Sequence, residues 1–353
     1  MDFVTGTVLP SNRIFTSDEL NAITPDHMYR WLALKVYNRE DPGRQDNPTH
    51  GRSSSIVYYK KAISYFMPNK LQKWTIIGGV GSGNPTKSIA VNNLISAVKK
   101  KETRGLGTLT SSDRPLTINE FHQSLELMEG HGTVLDNRRY LAMIKFQFHL
   151  IARMDCTSRA LKTNFSRSEQ FPQFLTVRLK WSKNVSDERS APRQVILGAM
   201  NQQVCTVLAL ALFLEKWIKD GEGAASQWLF CDGFTDSRSD LKYQDAECER
   251  WKSSYAKFFK TNVLLNPQFV KDREEGCLGT HSIRKCATTF CRQNGVSNKD
   301  DTDYRARWKC DGRQQDNYTS TQLTWPDINA ASKLCVGGIC LYKPLRQSGI
   351  TDK

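Results

Sequence analysis

The sequence predicts a mainly α protein with a small antiparallel β-sheet, folded as two domains. Its 353 residues, 39% of them hydrophobic, suffice for two domains that each bury a core. Apolar residues recur at helical spacing over most of the chain, whereas only one region alternates apolar and polar residues as strands do. A polar stretch rich in Gly, Ser and Thr separates the two parts.

The first part of the chain is predicted to be a small helical domain over 24–102. Residues 1–23 lack an apolar period, and we predict that they are irregular. Three patterns of helical spacing follow, at 26–37, 53–66 and 88–101. The stretch 103–116 is predicted to be the linker to the second domain.

The second domain, 117–353, is predicted to combine helices with one hairpin. It opens on Thr117 and Glu120, which are spaced as in the capping box of a helix. Further helical patterns lie at 139–152, 199–219, 247–260 and from 281 onward. The apolar run Val204–Leu214 is too short to span a bilayer and predicts a buried helix. The alternating segment Phe174–Lys183 and the apolar Val195–Leu197 predict the antiparallel hairpin.

The charge of the chain favours nucleic acid as its partner. Fifty Lys and Arg outweigh 36 Asp and Glu, which gives a formal net charge of +14 spread along the sequence. A chain can also be basic for solubility alone, and that alternative stays open. The cluster Lys99–Arg104 has two interpretations: a DNA-contact or nuclear-import patch, or a solvated helix end stabilised by the helix dipole.

Neither a metal nor a nucleotide cofactor is predicted. The ten cysteines stand singly, with no CxxC and no Cys/His ligand spacing. The glycine-rich stretch 78–88 resembles a phosphate loop, but Thr86 stands where that motif has the Gly before Lys-Ser. The opening residues lack the features of a secretory signal, so we expect an intracellular protein with reduced thiols and no membrane span.

An ordered set of four residues in the last third of the chain points to a specific chemistry. His281 and Arg284 lie three apart at the start of a helical segment, so both side chains can point toward one site. Trp308 follows Arg284 by 24 residues, and Tyr318 follows Trp308 by ten. This set resembles the tyrosine recombinase (phage integrase) family, and the residues from His281 to Tyr318 resemble its Crypton-type transposon branch.

The resemblance covers residues 117 to 345 by motif and implies a fold, an activity and partners. The family joins a helical core-binding domain to an integrase-like catalytic domain, and the two close as a clamp on duplex DNA. By resemblance, the chain is a site-specific recombinase that cleaves and rejoins DNA through a 3′-phosphotyrosine, for integration or excision of a mobile element. A homodimer or tetramer on double-stranded DNA and a nuclear location follow from the same resemblance.

The remaining residues of the family motif have counterparts upstream. Arg153 is similar in place to the family's first arginine, and Lys183 to its catalytic lysine on a β-hairpin. The family's acidic residue falls on Asp155 or Cys156. Trp308 matches the ring that packs beside the scissile phosphate.

These residue types suit the cleavage of a phosphodiester. The transition state gathers negative charge on its oxygens, which Arg153 and Arg284 can stabilise. A tyrosine hydroxyl has a pKa of about 10. Tyr318 therefore needs a base or nearby cations to become a nucleophile, and His281 can supply that help. The leaving 5′-oxygen must gain a proton, which Lys183 can donate.

Other interpretations of these residues stay open. Each has an ordinary structural role, as a surface ion pair, a core ring or a buried hydroxyl. The chain could be a non-catalytic DNA-binding protein that retains the fold, or a type IB topoisomerase that relaxes supercoils as a monomer by the same chemistry. The predicted helix at 325–334 either docks into a neighbouring subunit or closes the core of its own chain.

Overall fold

A computed structural model of the chain describes residues 12–110, 113–168, 174–181, 191–220, 226–231, 241–293, 299–308 and 325–340. The chain divides into two compact units, Met1–Ser111 and Ser112–Lys353. Each unit has its own hydrophobic core. The boundary between the units falls inside the stretch predicted to be a linker.

The first unit is built from helices and one short hairpin. Its elements are α1 (Ser17–Asn21), α2 (Pro25–Tyr37), α3 (Ser53–Phe66), β1 (Thr75–Ile77), β2 (Val80–Ser82) and α4 (Ile89–Thr103). The three long helices confirm the predicted helical patterns. Two of them begin at a hydroxyl cap, because Thr24 and Ser88 accept hydrogen bonds from backbone amides of the first turn. Their buried faces meet around Met28, Leu32 and Ile56.

Helix α1 corrects the prediction that residues 1–23 are irregular. It begins at a capping box in which Thr16 and Glu19 each accept a hydrogen bond from the other's backbone amide. Such a box satisfies two amides that the first turn of a helix would leave unpaired. Five residues of helix therefore form without any buried side chain.

The glycine-rich stretch that resembles a phosphate loop contributes to a β-hairpin. Strands β1 and β2 pair antiparallel, with Ile77 opposite Val80. Between them, Gly78 and Gly79 have φ angles of 59° and 82°. A two-residue turn with both φ angles positive matches the twist of the strands and favours glycine. The first two glycines of the stretch therefore reverse the chain.

The second unit contains nine helices and five short strands within its described residues. They are α5 (Ile118–Met128), α6 (Val134–His149), α7 (Met154–Ser158), β3 (Phe165–Arg167), β4 (Leu175–Val177), β5 (Gln194–Ile196), β6 (Gly198–Ala199), α8 (Thr206–Lys219), α9 (Leu241–Phe259), α10 (Pro267–Asp272), α11 (Thr280–Gln293), α12 (Lys299–Arg305), α13 (Trp325–Lys333) and β7 (Ile339–Cys340). The predicted hairpin is confirmed as β4 and β5, with Leu175 opposite Ile196. The order of the main sheet is β3-β4-β5, all antiparallel, and β6 pairs with β7. The described part of the chain is thus mainly helical with small antiparallel sheets, as predicted.

Helix α8 departs from its prediction in two ways. It begins at Thr206 rather than near 199, because Gly198 and Ala199 form a strand with β7. Only one of its faces is buried, where Phe213 stacks on Trp217 with ring centroids 5.1 Å apart. Leu212 on another face is 40% exposed. The apolar run therefore forms a helix that is buried on one face and carries exposed apolar side chains on the other, rather than a fully buried helix.

Helix α13 closes the core of its own chain. It packs against α12 and β5. The fully buried Asp327 accepts two hydrogen bonds from Nη1 of Arg305, each of 2.7 Å, and one from the amide of Val195. Arg305 also donates to the carbonyl oxygens of His149 and Val195. Both buried charges are therefore paired, which is the condition for their burial. The packing matches the second of the two interpretations of this helix.

Candidate active site

Arg153 lies at the joint between α6 and α7. Helix α6 ends at His149, and Ile151 adopts a left-handed backbone with φ of 46°. That conformation is rare for a β-branched residue and redirects the chain. Arg153 then caps the start of α7 with an extended backbone. The side chain of Arg307 donates to the carbonyl oxygens of Leu150 and Ile151, both at 3.4 Å, and so supports the strained turn.

His281 and Arg284 lie in the first turn and a half of α11. The start of this helix is ordered by the amide of Gly279, which donates to Oγ of Ser282. Gln147 of α6 donates to the carbonyl oxygen of Thr280 at 2.8 Å, which fixes α11 against the central helix. His281 is exposed and Arg284 is only 3% exposed. The helix thus places the His281 side chain at the surface and buries that of Arg284, and their meeting at a common site stays a prediction.

Arg284 is a buried cation among other cations. Its Nη2 donates to the carbonyl oxygen of Ala306 at 2.6 Å. Burial, followed by the charges of Arg307 and Arg153, lowers the pKa of Arg284 from 12.5 to about 9. The guanidinium is still charged at neutral pH, but the folded protein holds that charge unfavourably.

Among the buried guanidinium nitrogens of this site that make no hydrogen bond within the described residues, two belong to residues of the predicted set. They are Nη1 of Arg153 and Nη1 of Arg284, and both are buried. A buried donor without an acceptor costs about 1–3 kcal/mol, and more when it is charged. The two donors belong to neighbouring cations, because the charge of Arg153 is among those that lower the pKa of Arg284.

Trp308 packs beside Arg284. The guanidinium carbon of Arg284 lies 5.5 Å from the ring centroid of Trp308, and that of Arg292 lies 5.3 Å from it. Two cations over one indole stabilise the ring electrostatically. The ring is half-buried and packs against the core of the second unit.

Arg153 and His281 line the same cleft, which has a volume of about 310 Å³. Its other walls include Asp155, Lys252 and Thr280. The Nζ atom of Lys252 lies 2.7 Å from Asp155 Oδ1 and 2.5 Å from Glu249 Oε2. Lys252 is thus a cation of the site that the sequence analysis missed, and nothing in the local pattern of α9 singles it out.

The cleft keeps His281 neutral at neutral pH. Burial, then the charges of Arg284 and Lys285, lowers the pKa of His281 below its usual 6.5, although Asp113 opposes the shift. A neutral imidazole can accept a proton, which a charged one cannot. Partial burial of the ring and the neighbouring cations therefore both favour the basic form of His281.

The two positions considered for the family's acidic residue have different surroundings. Asp155 forms an ion pair with Lys252 at 2.7 Å and a longer one with Arg159 at 3.7 Å. Cys156 is buried and close enough to Arg284 and Arg307 to affect their pKa values. The carboxylate at this point of the chain therefore pairs with Lys252 and Arg159 rather than with Arg284 or Arg307.

Lys183 and Tyr318 lie outside the described residues, so their predicted roles stay predictions. The described part brings Arg153 and His281 to one cleft and Trp308 against Arg284. It also reveals Arg307, which the sequence analysis passed over although it directly precedes Trp308. Among the residues that the structure describes, no group of His, Cys, Asp and Glu could hold a metal ion. In the same part of the chain, no helix is long and apolar enough to cross a membrane.

Comparisons with known proteins give little further information. No family model matches the chain, and no curated protein matches it by sequence. Among solved structures, it is similar to the XerH site-specific recombinase in a pre-cleavage complex with its difH substrate, at 12% identity and a TM-score of 0.32. The similar region covers 77% of this chain and 67% of the XerH chain. At that TM-score the likeness does not establish a shared fold.

Proposed function

We propose that the chain is a tyrosine recombinase that cleaves and rejoins double-stranded DNA through a 3′-phosphotyrosine at Tyr318. The observation that carries this proposal is the pair of buried guanidinium nitrogens, Nη1 of Arg153 and Nη1 of Arg284, that make no hydrogen bond within the described residues. A phosphodiester supplies two non-bridging oxygens with a negative charge. It would satisfy both donors at once and relieve the repulsion between the two cations.

Each described residue of the set then has a role in the reaction. Arg153 and Arg284 bind the non-bridging oxygens and stabilise the charge that grows on them in the transition state. Neutral His281, in the same cleft as Arg153, accepts the proton of the attacking hydroxyl or orients it. The ring of Trp308 contacts the guanidinium of Arg284 and packs beside the phosphate.

The remaining roles rest on the resemblance of the motif. Tyr318 attacks phosphorus and forms the covalent bond, and the 5′-oxygen leaves. Lys183 donates a proton to that oxygen. Neither a metal nor another cofactor takes part, because the cations and the nucleophile come from side chains.

The substrate and its setting follow from the same proposal. The net charge of +14 supports a polyanionic partner. We assign the chain to site-specific recombination of a mobile element of the Crypton type, acting in the nucleus as a homodimer or tetramer assembled on duplex DNA. Supercoil relaxation by a monomer without exchange of strands between duplexes would instead indicate a topoisomerase.

A nicked suicide duplex tests the chemistry. The full chain is incubated with the duplex, and a covalent protein–DNA adduct is sought on a denaturing gel. We expect an adduct for the wild type and for Tyr304→Phe, and none for Tyr318→Phe. Mapping by mass spectrometry should place the nucleotide on Tyr318. Because DNA affinity comes mainly from phosphate contacts over a wide surface, Tyr318→Phe should still bind DNA.

An adduct on another tyrosine, or an adduct in the Tyr318→Phe variant, would show that the nucleophile is misplaced. Wild-type binding to DNA without any adduct would favour a non-catalytic DNA-binding protein.

A further inference from the structure

The β1–β2 hairpin of the first unit carries apolar side chains that its own unit leaves uncovered. Ile76, Ile77 and Val80 are 71%, 75% and 70% exposed. In the register of the hairpin, Ile77 lies opposite Val80, next to the two-glycine turn. Residues directly opposite each other in an antiparallel pair share a face, so these two side chains form a small apolar tip. Three neighbouring exposed aliphatic side chains are more than the scattered single residues that are normal on a protein surface.

The base of the hairpin is well ordered. The ring of Trp74 lies so close over Gly81 that a Cβ at that position would collide with it. At the foot of the hairpin, the side chain of Asn84 donates to Oγ of Ser64 in α3 at 2.8 Å, and its backbone amide donates to the carbonyl oxygen of Gln72 at 3.2 Å. The apolar tip is therefore held out from the unit on a fixed stem.

The surroundings of the hairpin are strongly and uniformly basic. Between Asp46 and Glu102 the sequence has 55 residues with no Asp or Glu, but with eight Lys and one Arg. Five of these lysines line a cleft of about 590 Å³ between α3 and α4, which we call the lysine cleft: Lys60, Lys61, Lys70, Lys87 and Lys99. Like charges in such a cleft favour the binding of a polyanion.

The lysine cleft and the hairpin are continuous. Leu71, four residues before β1, lines the cleft and is 85% exposed. The Nζ atom of Lys87, a few residues after β2, donates to the carbonyl oxygen of Leu71 at 3.1 Å. Burial and the charge of Lys87 lower the pKa of Lys60, which shows that the positive charges in the cleft repel each other. An anion in the cleft would relieve that repulsion, and the apolar tip lies next to it along the chain.

We propose that the hairpin tip is a wedge that enters a groove of duplex DNA and bends it, while the lysine cleft holds neighbouring phosphates. This inference rests on the DNA partner of the proposed function. Ile77 and Val80 have no groups that could hydrogen-bond to base edges, so the tip cannot read sequence in that way. It can press between two base pairs, and apolar wedges of this kind kink duplexes by about 20–90°.

The shape of the tip favours DNA over a membrane surface. Only the side chains next to the turn have to enter the minor groove of B-DNA, which is about 6 Å wide. Membrane binding scales with the apolar area that enters the lipid. Three aliphatic side chains on a narrow ribbon offer little apolar area for insertion into lipid. The same area is enough to separate two stacked base pairs at one step.

The bend can be measured by fluorescence transfer between dyes at the two ends of a short duplex. The full chain is used at low salt and at saturating concentration. The test variant is Ile77→Thr with Val80→Thr, which keeps β-branched side chains in both strands and so preserves the hairpin. The matched control is Ile14→Thr, since Ile14 is 91% exposed and lies outside the basic stretch. A second variant, Lys60→Ala with Lys61→Ala, separates phosphate binding from bending.

We expect the wild type and the Ile14 variant to shorten the end-to-end distance of the duplex. The tip variant should bind at low salt with nearly unchanged affinity, because phosphate contacts supply most of it, but should leave the duplex straight. The lysine variant should bind more weakly, with a slope of log affinity against log salt that is smaller by about 2. When saturated, it should still bend the duplex.

Three outcomes would overturn the wedge. In the first, the wild type binds DNA and forms the Tyr318 adduct but leaves the duplex straight, which would leave the proposed function intact. In the second, the tip variant bends DNA as the wild type does. In the third, the tip variant loses binding to vesicles of anionic lipid while its DNA complex is unchanged, which would make the hairpin a membrane contact.

Discussion

Replacing Arg284 by Met should abolish cleavage and yet make the second unit more stable. Its surroundings lower the pKa of Arg284 from 12.5 to about 9. At about 1.4 kcal/mol per pKa unit, the folded protein holds the charged form at a cost of about 5 kcal/mol. Methionine keeps most of the apolar stem but loses the hydrogen bond to Ala306 and the contact with Trp308, together about 2–4 kcal/mol. We therefore expect a gain of about 1–3 kcal/mol in the free energy of unfolding.

A second buried arginine of the same unit supplies the matched control. Arg305 is fully buried like Arg284, but it is paired with Asp327. Arg305→Met leaves that carboxylate buried without its partner, which should cost about 3–5 kcal/mol. The assay is urea unfolding of the full chain at pH 7 in a chloride buffer. If Arg284→Met lowers the free energy of unfolding by more than about 2 kcal/mol, the cation supports the fold, and our reasoning about a site held ready for an anion is wrong.

Three further predictions concern the same site. Sulfate should raise the melting temperature of the wild type more than chloride does at equal ionic strength, because it can accept from Arg153 and Arg284, and at 100 times its Kd this adds about 2.7 kcal/mol. Arg284→Met should reduce the difference between the two salts to the general stabilisation that sulfate gives by its exclusion from protein surfaces. Because the pKa of His281 is lowered from 6.5, half of the histidine is protonated only at a pH below that value. The rate of adduct formation should therefore fall to half of its plateau only below pH 6.5, and a midpoint at or above pH 7 would contradict this role. Lys183→Ala should slow cleavage of ordinary DNA far more than cleavage of DNA with a 5′-bridging sulfur, since a thiolate leaves without a proton, and equal losses on both substrates would remove Lys183 from the acid role.

The elements that could be predicted from the sequence are those fixed by neighbours along the chain. Helices α2, α3 and α4 carry their own apolar periods, and the hydroxyl caps at Thr24 and Ser88 set the first residues of two of them. The start of α8 could not be predicted, because a strand from the far end of the unit pairs with Gly198 and Ala199. The third strand of the main sheet was missed for a similar reason, since Phe165–Arg167 is too short to show an alternating pattern.

The candidate site shows the same division. The spacing of His281 and Arg284 on one helix predicts that both can reach one site, because that relation is local. The repulsion among Arg284, Arg307 and Arg153 depends on three segments that meet only in the folded unit. Lys252 joins the cleft from α9 through an ion pair with Asp155, 97 positions away in sequence. Such contacts leave no periodic trace in the sequence.

The buried pair of Arg305 and Asp327 also fixes the reach of the proposed nucleophile. Arg305 lies at the end of α12 and Asp327 near the start of α13. Because their side chains form an ion pair, the chain between them must begin and end at nearby positions. Tyr318 is nine residues from Asp327, and a chain extends by at most about 3.6 Å per residue, so its Cα cannot stray more than about 32 Å from that of Asp327. In dilute solution, Tyr318 therefore stays within that distance of its own Asp327, whereas another free copy of the chain is on average much farther away. We therefore expect the first covalent step to be unimolecular in the DNA-bound protein and insensitive to dilution.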